Sequence, residues 1–218
     1  GVPEGVRLGF EMATLATAAE PVVPLSDDLE DAPCAICGDP TSYDSNPIVF
    51  CDGCDLAVHV ECYGYPLHSG VPEGEWLCTQ CQWEAREASC CLCPTKGGAM
   101  KRTSDGQWAH LCCAMWIPEV FFRDGEGREP IDYYRIPQHR FEHTCAYCKK
   151  HAGACVECAE PGCKKAFHVT CGMQRGVLLE YKQSTRKREP DIIVGFCVEH
   201  AKEARKKQNW KMKFYVKT

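Results

Sequence analysis

The residues of this chain that could do chemistry are its cysteines, 19 among 218 residues. Most of them form Cys-x-x-Cys pairs, followed at intervals by His-x-x-Cys or Cys-x-x-His. Thiolate and imidazole groups at these spacings are typical ligands of structural zinc. A disulfide framework would require an even number of cysteines and an oxidising compartment. Here the number is odd, and residues 1–20 lack the pattern of a secretion signal. The sequence therefore indicates zinc sites in a reducing compartment.

The predicted ligands form two groups of eight with a group of four between them. In both octets, four residues separate the fourth ligand from a histidine that begins His-x-x-Cys. Cys155 also pairs with Cys158, but only Cys163 reproduces this spacing to His168, so we assign Cys158 and Cys163 as ligands. Five structural Zn²⁺ ions are predicted, with the following ligands: Cys34, Cys37, Cys51, Cys54, His59, Cys62, Cys78, Cys81, Cys90, Cys93, His110, Cys113, Cys145, Cys148, Cys158, Cys163, His168, Cys171, Cys197 and His200.

Three cysteines remain outside this scheme: Cys91, Cys112 and Cys155. Each lies beside or near a ligand, and we interpret all three as small buried apolar side chains. The scheme agrees with the size of the modules, because units of roughly 30 to 60 residues bury too little apolar surface to be stable alone. Metal binding is expected to supply the missing stability.

The order of the ligands resembles that of a known family. The first octet runs four cysteines, one histidine and three cysteines, with Trp76 two residues before Cys78. In this order residues 34–81 resemble a PHD finger, whereas a RING finger has its histidine one ligand earlier. Downstream, four stretches resemble the PHD–zinc knuckle–PHD (PZP) family: residues 90–99, 108–110, 116–120 and 166–171.

Within that family, residues 56–64 and 72–76 look most like the peregrin branch. This branch comprises the peregrin-like bromodomain and PHD finger scaffolds, their fungal counterparts and the Jade proteins, which serve histone acetyltransferase complexes. The other branch holds leukaemia-translocation proteins that act as methyltransferase cofactors. The resemblance implies a small zinc-stabilised irregular α+β fold, with PHD finger, zinc knuckle and extended PHD finger packed as one PZP module.

The resemblance also implies cross-braced fingers, in which the ligand pairs of two ions alternate along the chain. The implied sets are Cys34, Cys37, His59 and Cys62; Cys51, Cys54, Cys78 and Cys81; Cys145, Cys148, His168 and Cys171; and Cys158, Cys163, Cys197 and His200. The expected division of the chain is an N-terminal linker (1–32), PHD finger 1 (33–83), a zinc knuckle (88–116), a connector (117–142), PHD finger 2 (143–203) and a basic C-terminal tail (204–218).

The charges are divided unevenly along the chain. Residues 1–89 contain 2 basic and 16 acidic side chains, a net charge of 2 − 16 = −14, whereas residues 90–218 contain 23 basic and 14 acidic ones, a net of +9. All of the basic excess lies beyond residue 143. This split indicates one cationic and one anionic partner, although a solubilising acidic end and a solvated basic tail would give the same numbers.

Finger 1 is expected to bind the N-terminal tail of histone H3, which PHD fingers commonly add as a strand beside their own. The matching strand is 48–50. Readers of trimethyl-lysine usually place an aromatic residue two positions before the ligand histidine. Here that residue is Ala57, and the abundant carboxylates instead suit an unmethylated lysine. The segment 72–75 would receive the terminal amine, or would only position Trp76. The predicted tail-binding residues are Asp44, Ile48, Val49, Phe50, Asp52, Asp55, Glu73 and Gly74.

Finger 2 is expected to contact DNA, because clusters of lysine and arginine neutralise phosphates without reading sequence. A second H3 segment is an alternative ligand for this finger, and a merely solvated basic face is another interpretation. The predicted DNA-binding residues are Lys149, Lys150, Lys164, Lys165, Arg186, Lys187 and Arg188.

The chain is therefore interpreted as a nuclear chromatin reader, a nucleosome-binding member of a chromatin-modifying complex rather than an enzyme. A protein–protein scaffold without histone affinity is the alternative. Residues 33–37 and 59–61 together share elements of the zinc deaminase signature, but in reversed order and without room for an activated water. No apolar run approaches the length of a membrane-spanning helix, so no membrane partner is expected.

Overall fold

The computed structural model describes residues 32–182 and 192–207. Short strands and helices joined by long irregular loops make up this part of the chain, which is the small zinc-binding α+β fold that the sequence predicts. The expected N-terminal linker, apart from residue 32, and most of the basic tail lie outside the described residues, as do the predicted DNA contacts Arg186, Lys187 and Arg188. None of the described helices is long and apolar enough to cross a membrane.

The strands of the described ranges form five separate two-stranded antiparallel sheets. Along the chain the pairs are β1 (Ile48–Phe50) with β2 (Ala57–His59), β3 (Met100–Arg102) with β4 (Trp108–His110), β5 (Phe121–Asp124) with β6 (Glu129–Asp132), β7 (Val156–Glu157) with β8 (Ala166–Phe167), and β9 (Leu178–Lys182) with β10 (Ile192–Phe196). The helices are α1 (Val60–Tyr63), α2 (Thr79–Gln82), α3 (Leu111–Trp116), α4 (His139–Glu142), α5 (Val169–Met173) and α6 (Val198–Lys207).

One local unit occurs three times: a strand ends in a histidine, and a short helix begins at the next residue. The histidines are His59, His110 and His168, which precede α1, α3 and α5. Each has extended backbone, with φ of −66°, −63° and −66° respectively. Residues three apart on a helix lie on the same side. The His-x-x-Cys spacing therefore brings the cysteine back beside the imidazole.

A large hydrophobic cluster runs through the described chain from Cys34 to Cys197, and a small second one contains Leu178, Phe196 and Ala201. The fully buried members of the large cluster come from every part of the chain, including Tyr63 before the knuckle, Leu111 and Ile131 in the middle, and Phe167 near the end. Many of the other members of the large cluster are the cysteines themselves. The apolar core and the metal ligands are thus the same set of residues over much of the structure.

The knuckle packs closely against finger 2. The backbone N–H of Ala154 donates to the carbonyl of Leu92 at 2.9 Å, and the hydroxyls of Thr95 and Thr170 lie 2.9 Å apart. Gly153 has a positive φ of +81°, and a Cβ added there would lie 2.5 Å from the Leu92 carbonyl oxygen. Only glycine permits this approach of two backbones.

The expected connector, 117–142, contains the β5–β6 hairpin and α4. Strand β6 lies beside the end of β3, where the backbone N–H of Ser104 donates to the Ile131 carbonyl at 2.8 Å. In α4, Arg140 pairs with Glu119 at 2.8 Å and accepts a backbone hydrogen bond from Cys155 at 2.9 Å. The connector is therefore an ordered part of the structure that contacts both neighbouring modules.

Candidate metal centres and binding surfaces

The structure brings the twenty predicted ligands together in five groups of four. Within each group the candidate ligand atoms all lie within 4.8 Å of one another. The groups are Cys34, Cys37, His59 and Cys62; Cys51, Cys54, Cys78 and Cys81; Cys90, Cys93, His110 and Cys113; Cys145, Cys148, His168 and Cys171; and Cys158, Cys163, Cys197 and His200. The groups within each finger alternate along the chain, as the family resemblance implied.

A repeated hydrogen bond orders the five centres. In each of them the sulfur of the first cysteine accepts the backbone N–H of the third ligand. The pairs are His59 to Cys34 (3.3 Å), Cys78 to Cys51 (3.1 Å), His110 to Cys90 (3.3 Å), His168 to Cys145 (3.5 Å) and Cys197 to Cys158 (3.3 Å). Hydrogen bonds to the charged form of a group favour that form. Each centre therefore has a built-in donor that stabilises a thiolate.

The histidines present one ring nitrogen to their centres. The Nδ1 atoms of His59 and His110 lie 3.3 and 3.2 Å from the sulfurs of Cys37 and Cys93. Their Nε2 atoms lie 2.9 and 2.5 Å from the carbonyl oxygens of Thr41 and Gly97. A carbonyl accepts only from a protonated nitrogen, so Nε2 carries the proton and Nδ1 is the free ligand atom.

Crowding of the sulfur atoms gives neighbouring thiols very different pKa values. Hydrogen bonds with Cys37 and Cys62 lower the pKa of Cys34, whereas the hydrogen bond with Cys34 raises the pKa of Cys37 to about 12. Without a cation, the ionisation of one thiol thus opposes that of its neighbours, and a cation is what allows all three to be thiolates. Sulfur and imidazole nitrogen in fours are the donor set of structural Zn²⁺, and the five centres fit five such ions.

The three remaining cysteines belong to none of the five groups. Burial raises the pKa of Cys91 and of Cys155 to about 12, which keeps both as neutral thiols. Cys155 is fully buried, and its sulfur lies 3.9 Å from the His143 carbonyl oxygen. Cys112 is buried in α3 beside the ligand Cys113. Cys112 and Cys155 are thus buried as expected, whereas Cys91 is only half-buried.

The predicted tail-binding residues of finger 1 include all three residues of strand β1. Its three residues are half-buried, and the backbone N–H of Ile48 donates to the Ser42 hydroxyl at 3.1 Å. The predicted residues Asp44, Asp55, Glu73 and Gly74 are exposed.

Two carboxylates in this region already have partners. That of Asp52 accepts the backbone N–H of Trp76 at 2.7 Å. That of Asp39 accepts the Tyr43 hydroxyl at 3.0 Å and the Thr41 N–H at 2.9 Å. Asp52 therefore holds Trp76 beside the strand.

A basic cleft of about 750 Å³ lies on finger 2. Three of the predicted DNA contacts line it, Lys149, Lys164 and Lys165, while Lys150 is exposed outside it. Lys165 is paired with Glu199 at 2.5 Å. Tyr147 and Arg175, which were not predicted from the sequence, also line the cleft. Arg175 follows α5 and is distant in sequence from the lysines, so no local pattern could have found it.

Known proteins match most of the described chain. Residues 34–81 match the PHD-finger family, and residues 88–208 match the family described as a PHD-zinc-finger like domain. Human bromodomain and PHD finger-containing protein 3 is 50% identical over 154 residues, 69% of this chain and 12% of that protein. Zebrafish Protein Jade-1 is 43% identical over 176 residues, 79% of this chain and 20% of that protein. The chain thus spans a small part of these relatives.

A solved structure has the same fold. The crystal structure of zebrafish PHF14-PZP superposes with a TM-score of 0.60 at 29% sequence identity. The superposition covers 78% of this chain and 88% of the zebrafish chain.

Replacing Cys163 by serine tests the assignment of ligands in finger 2. We expect Cys163→Ser to bind four zinc ions instead of five, because the last centre loses a thiolate. The matched control Cys155→Ser should keep five ions and change the free energy of unfolding by only about 1 kcal/mol. Native mass spectrometry counts the ions. Loss of an ion in Cys155→Ser but not in Cys163→Ser would contradict the assignment.

Proposed function

Because this chain belongs to the PHD-finger and PHD-zinc-finger-like family of chromatin readers, we propose that its first finger binds the unmodified N-terminal tail of histone H3. Strand β1 pairs with β2 on one side only. The backbone N–H of Ile48 at its start donates to the Ser42 hydroxyl, and Asp52, two residues after its end, accepts the backbone N–H of Trp76. An extended peptide added on the other side of β1 would gain main-chain hydrogen bonds, and alternate side chains would face the finger.

The charges around β1 support an unmethylated lysine. Asp44 and Asp55 are exposed, and their carboxylates have no hydrogen-bond partner among the described residues, so both carboxylates are available to a ligand. An unmethylated ammonium donates three hydrogen bonds, and trimethylation removes all of them. The position of the usual cage wall is Ala57, which is 6% exposed. Tyr43 is the single aromatic residue that could serve as a cage wall, and its hydroxyl donates to Asp39.

Peptide titration tests this proposal. An unmodified peptide of the first twelve residues of H3 should bind about tenfold more tightly than the same peptide trimethylated at its fourth-position lysine, as measured by calorimetry. Asp44→Asn should weaken binding of the unmodified peptide and reduce this difference, whereas the exposed control Glu87→Gln should not. A preference for the trimethylated peptide would overturn the proposal.

We further propose that the basic cleft of finger 2 contacts the DNA of the nucleosome. Lys149, Lys164 and Arg175 bring three cations to one concave surface, while Lys165 is partly neutralised by Glu199. Phosphates of a duplex can be neutralised by such a cluster without any contact with base edges. The acidic first finger and the basic second finger would then bind the protein and nucleic acid parts of the same particle.

The dependence of DNA binding on salt tests the second contact. Neutralising about four phosphates should give a slope of roughly −4 in a plot of log affinity against log salt concentration. The double variant Lys149→Gln, Lys164→Gln should make this slope shallower by about 2, and the exposed knuckle control Lys96→Gln should leave it unchanged. Fluorescence anisotropy with a short duplex measures both. Affinity that does not respond to salt would contradict DNA binding.

A further proposal concerns the cellular location of this module and the complex to which it belongs. We propose that the module acts in the nucleus as part of a histone acetyltransferase scaffold, the role that the family resemblance implies; its similarity to the bromodomain and PHD finger proteins and Jade-1 supports this proposal. Four protein ligands at each centre leave no position for an activated water, so binding rather than catalysis is proposed.

A scaffold without histone affinity is the second candidate. The side chains of Trp83 and Tyr134 are 63% and 67% exposed, and exposed aromatic residues are common at protein interfaces. A histone peptide array separates the two candidates.

A further inference from the structure

The turn of the β5–β6 hairpin lies directly against the helix that carries Cys62. Helix α1 is followed by Gly64, whose φ is +76°. A Cβ added there would lie 2.5 Å from Cγ of Arg128 and 2.6 and 2.7 Å from the carbonyl oxygens of Glu126 and Gly127. The backbone N–H of Tyr65 also donates to the Gly127 carbonyl at 3.1 Å. The first finger is thus in backbone contact with a segment more than sixty residues further along the chain.

Lys101 stabilises this contact by binding both segments. Its side chain is fully buried, and its ammonium donates to the carbonyl oxygens of Tyr65 at 2.8 Å and Gly127 at 2.7 Å. Glu129 lies 3.4 Å away, and the ring centroid of Tyr63 lies 4.6 Å away. Because burial lowers the pKa of Lys101 to about 8, this ammonium is held at an energetic cost that its partners offset.

Arg128 is a second buried cation in the same place, and it is only 3% exposed. Its Nη2 donates to the Glu61 carbonyl at 3.4 Å, one residue before Cys62, and its guanidinium lies 5.5 Å from the ring centroid of Phe122. Its Nε and Nη1 have no hydrogen-bond partner in the part of the chain that the structure describes. Burial lowers the pKa of Arg128, while the charges of Cys62 and Glu61 act in the opposite direction.

The backbone at Arg128 is also unusual, because its φ of +59° lies in the left-handed region that favours glycine. A side chain kept at such a position indicates that the side chain itself has a role. No carboxylate of the described residues lies within ion-pair distance of Arg128, whereas Lys101 is paired with Glu129. A zinc ion with three thiolates and one neutral imidazole carries one net negative charge. The centre that contains Cys62 therefore provides a negative charge near Arg128.

We propose that Arg128 is a positioning residue of the metal centre formed by Cys34, Cys37, His59 and Cys62. Its guanidinium offsets the net negative charge of that centre and fixes the backbone between Glu61 and Cys62. Lys101 stabilises the position of the β5–β6 hairpin, whose turn carries Arg128. Partners outside the ligand set commonly orient the ligands and adjust metal affinity. The β5–β6 hairpin is accordingly a part of finger 1, although it lies in the connector.

Cadmium-113 NMR tests this proposal, because ¹¹³Cd replaces zinc and reports each centre separately. The described chain has one all-cysteine centre and four with a histidine, so the two centres of finger 1 differ in ligand type. Arg128→Met should shift the resonance that correlates with the Cys34, Cys37 and Cys62 protons. It should also speed loss of ¹¹³Cd from that centre to EDTA by about 10- to 100-fold. Arg128→Lys, which keeps the charge, should restore most of the retention.

The other centres and a matched surface variant provide the controls. Arg135→Met removes an exposed arginine of the same connector and should change no resonance. The all-cysteine centre of finger 1 should release ¹¹³Cd at a rate within threefold of the parent protein in every variant. Unchanged release in Arg128→Met, or equal acceleration at all five centres, would overturn the proposal. If Arg128→Met does not fold, faster release in Arg128→Gln than in Arg128→Lys supports it, and equal release in the two contradicts it.

Discussion

The structure depends on the bond between a metal ion and thiolates that come from distant parts of the chain. Each centre joins two ligand pairs, and in finger 1 the pairs of two centres alternate, so neither can form without constraining the other. Sheets of two strands and helices of a single turn are not stable alone. A structural zinc contributes on the order of 10–16 kcal/mol at neutral pH in finger peptides, enough to replace the missing core. The apolar cluster then connects the centres.

This arrangement explains how one small body can carry two surfaces of opposite charge. Metal binding is insensitive to side chains that face solvent, so the loops between ligands can be acidic in finger 1 and basic in finger 2. The loop before β1 carries Asp44, and the corresponding loop before β7 in finger 2 carries Lys149 and Lys150. The knuckle joins the fingers through shared apolar packing and through backbone contacts such as that between Gly153 and Leu92.

Much of the fold and its metal centres could be predicted from the sequence, because ligand type and spacing are local. Their pairing required the family resemblance, since spacing alone does not show which pairs share an ion. Contacts between distant residues could not be predicted. In the sequence Lys101 is indistinguishable from a surface lysine, but in the structure it is fully buried against the connector hairpin. The hydrogen bond from the Trp76 backbone to Asp52 could not be predicted either. Arg175 lies beside the lysines of the basic cleft only because of the packing of finger 2.

Removal of the metal tests whether zinc binding holds this fold together. The protein should be treated with a strong chelator at neutral pH and followed by circular dichroism and by the dispersion of its amide NMR signals. If zinc holds the fold together, the dispersed signals collapse as zinc is removed and return when zinc is restored. A chain that keeps a near-native spectrum after all zinc has been removed would contradict this expectation.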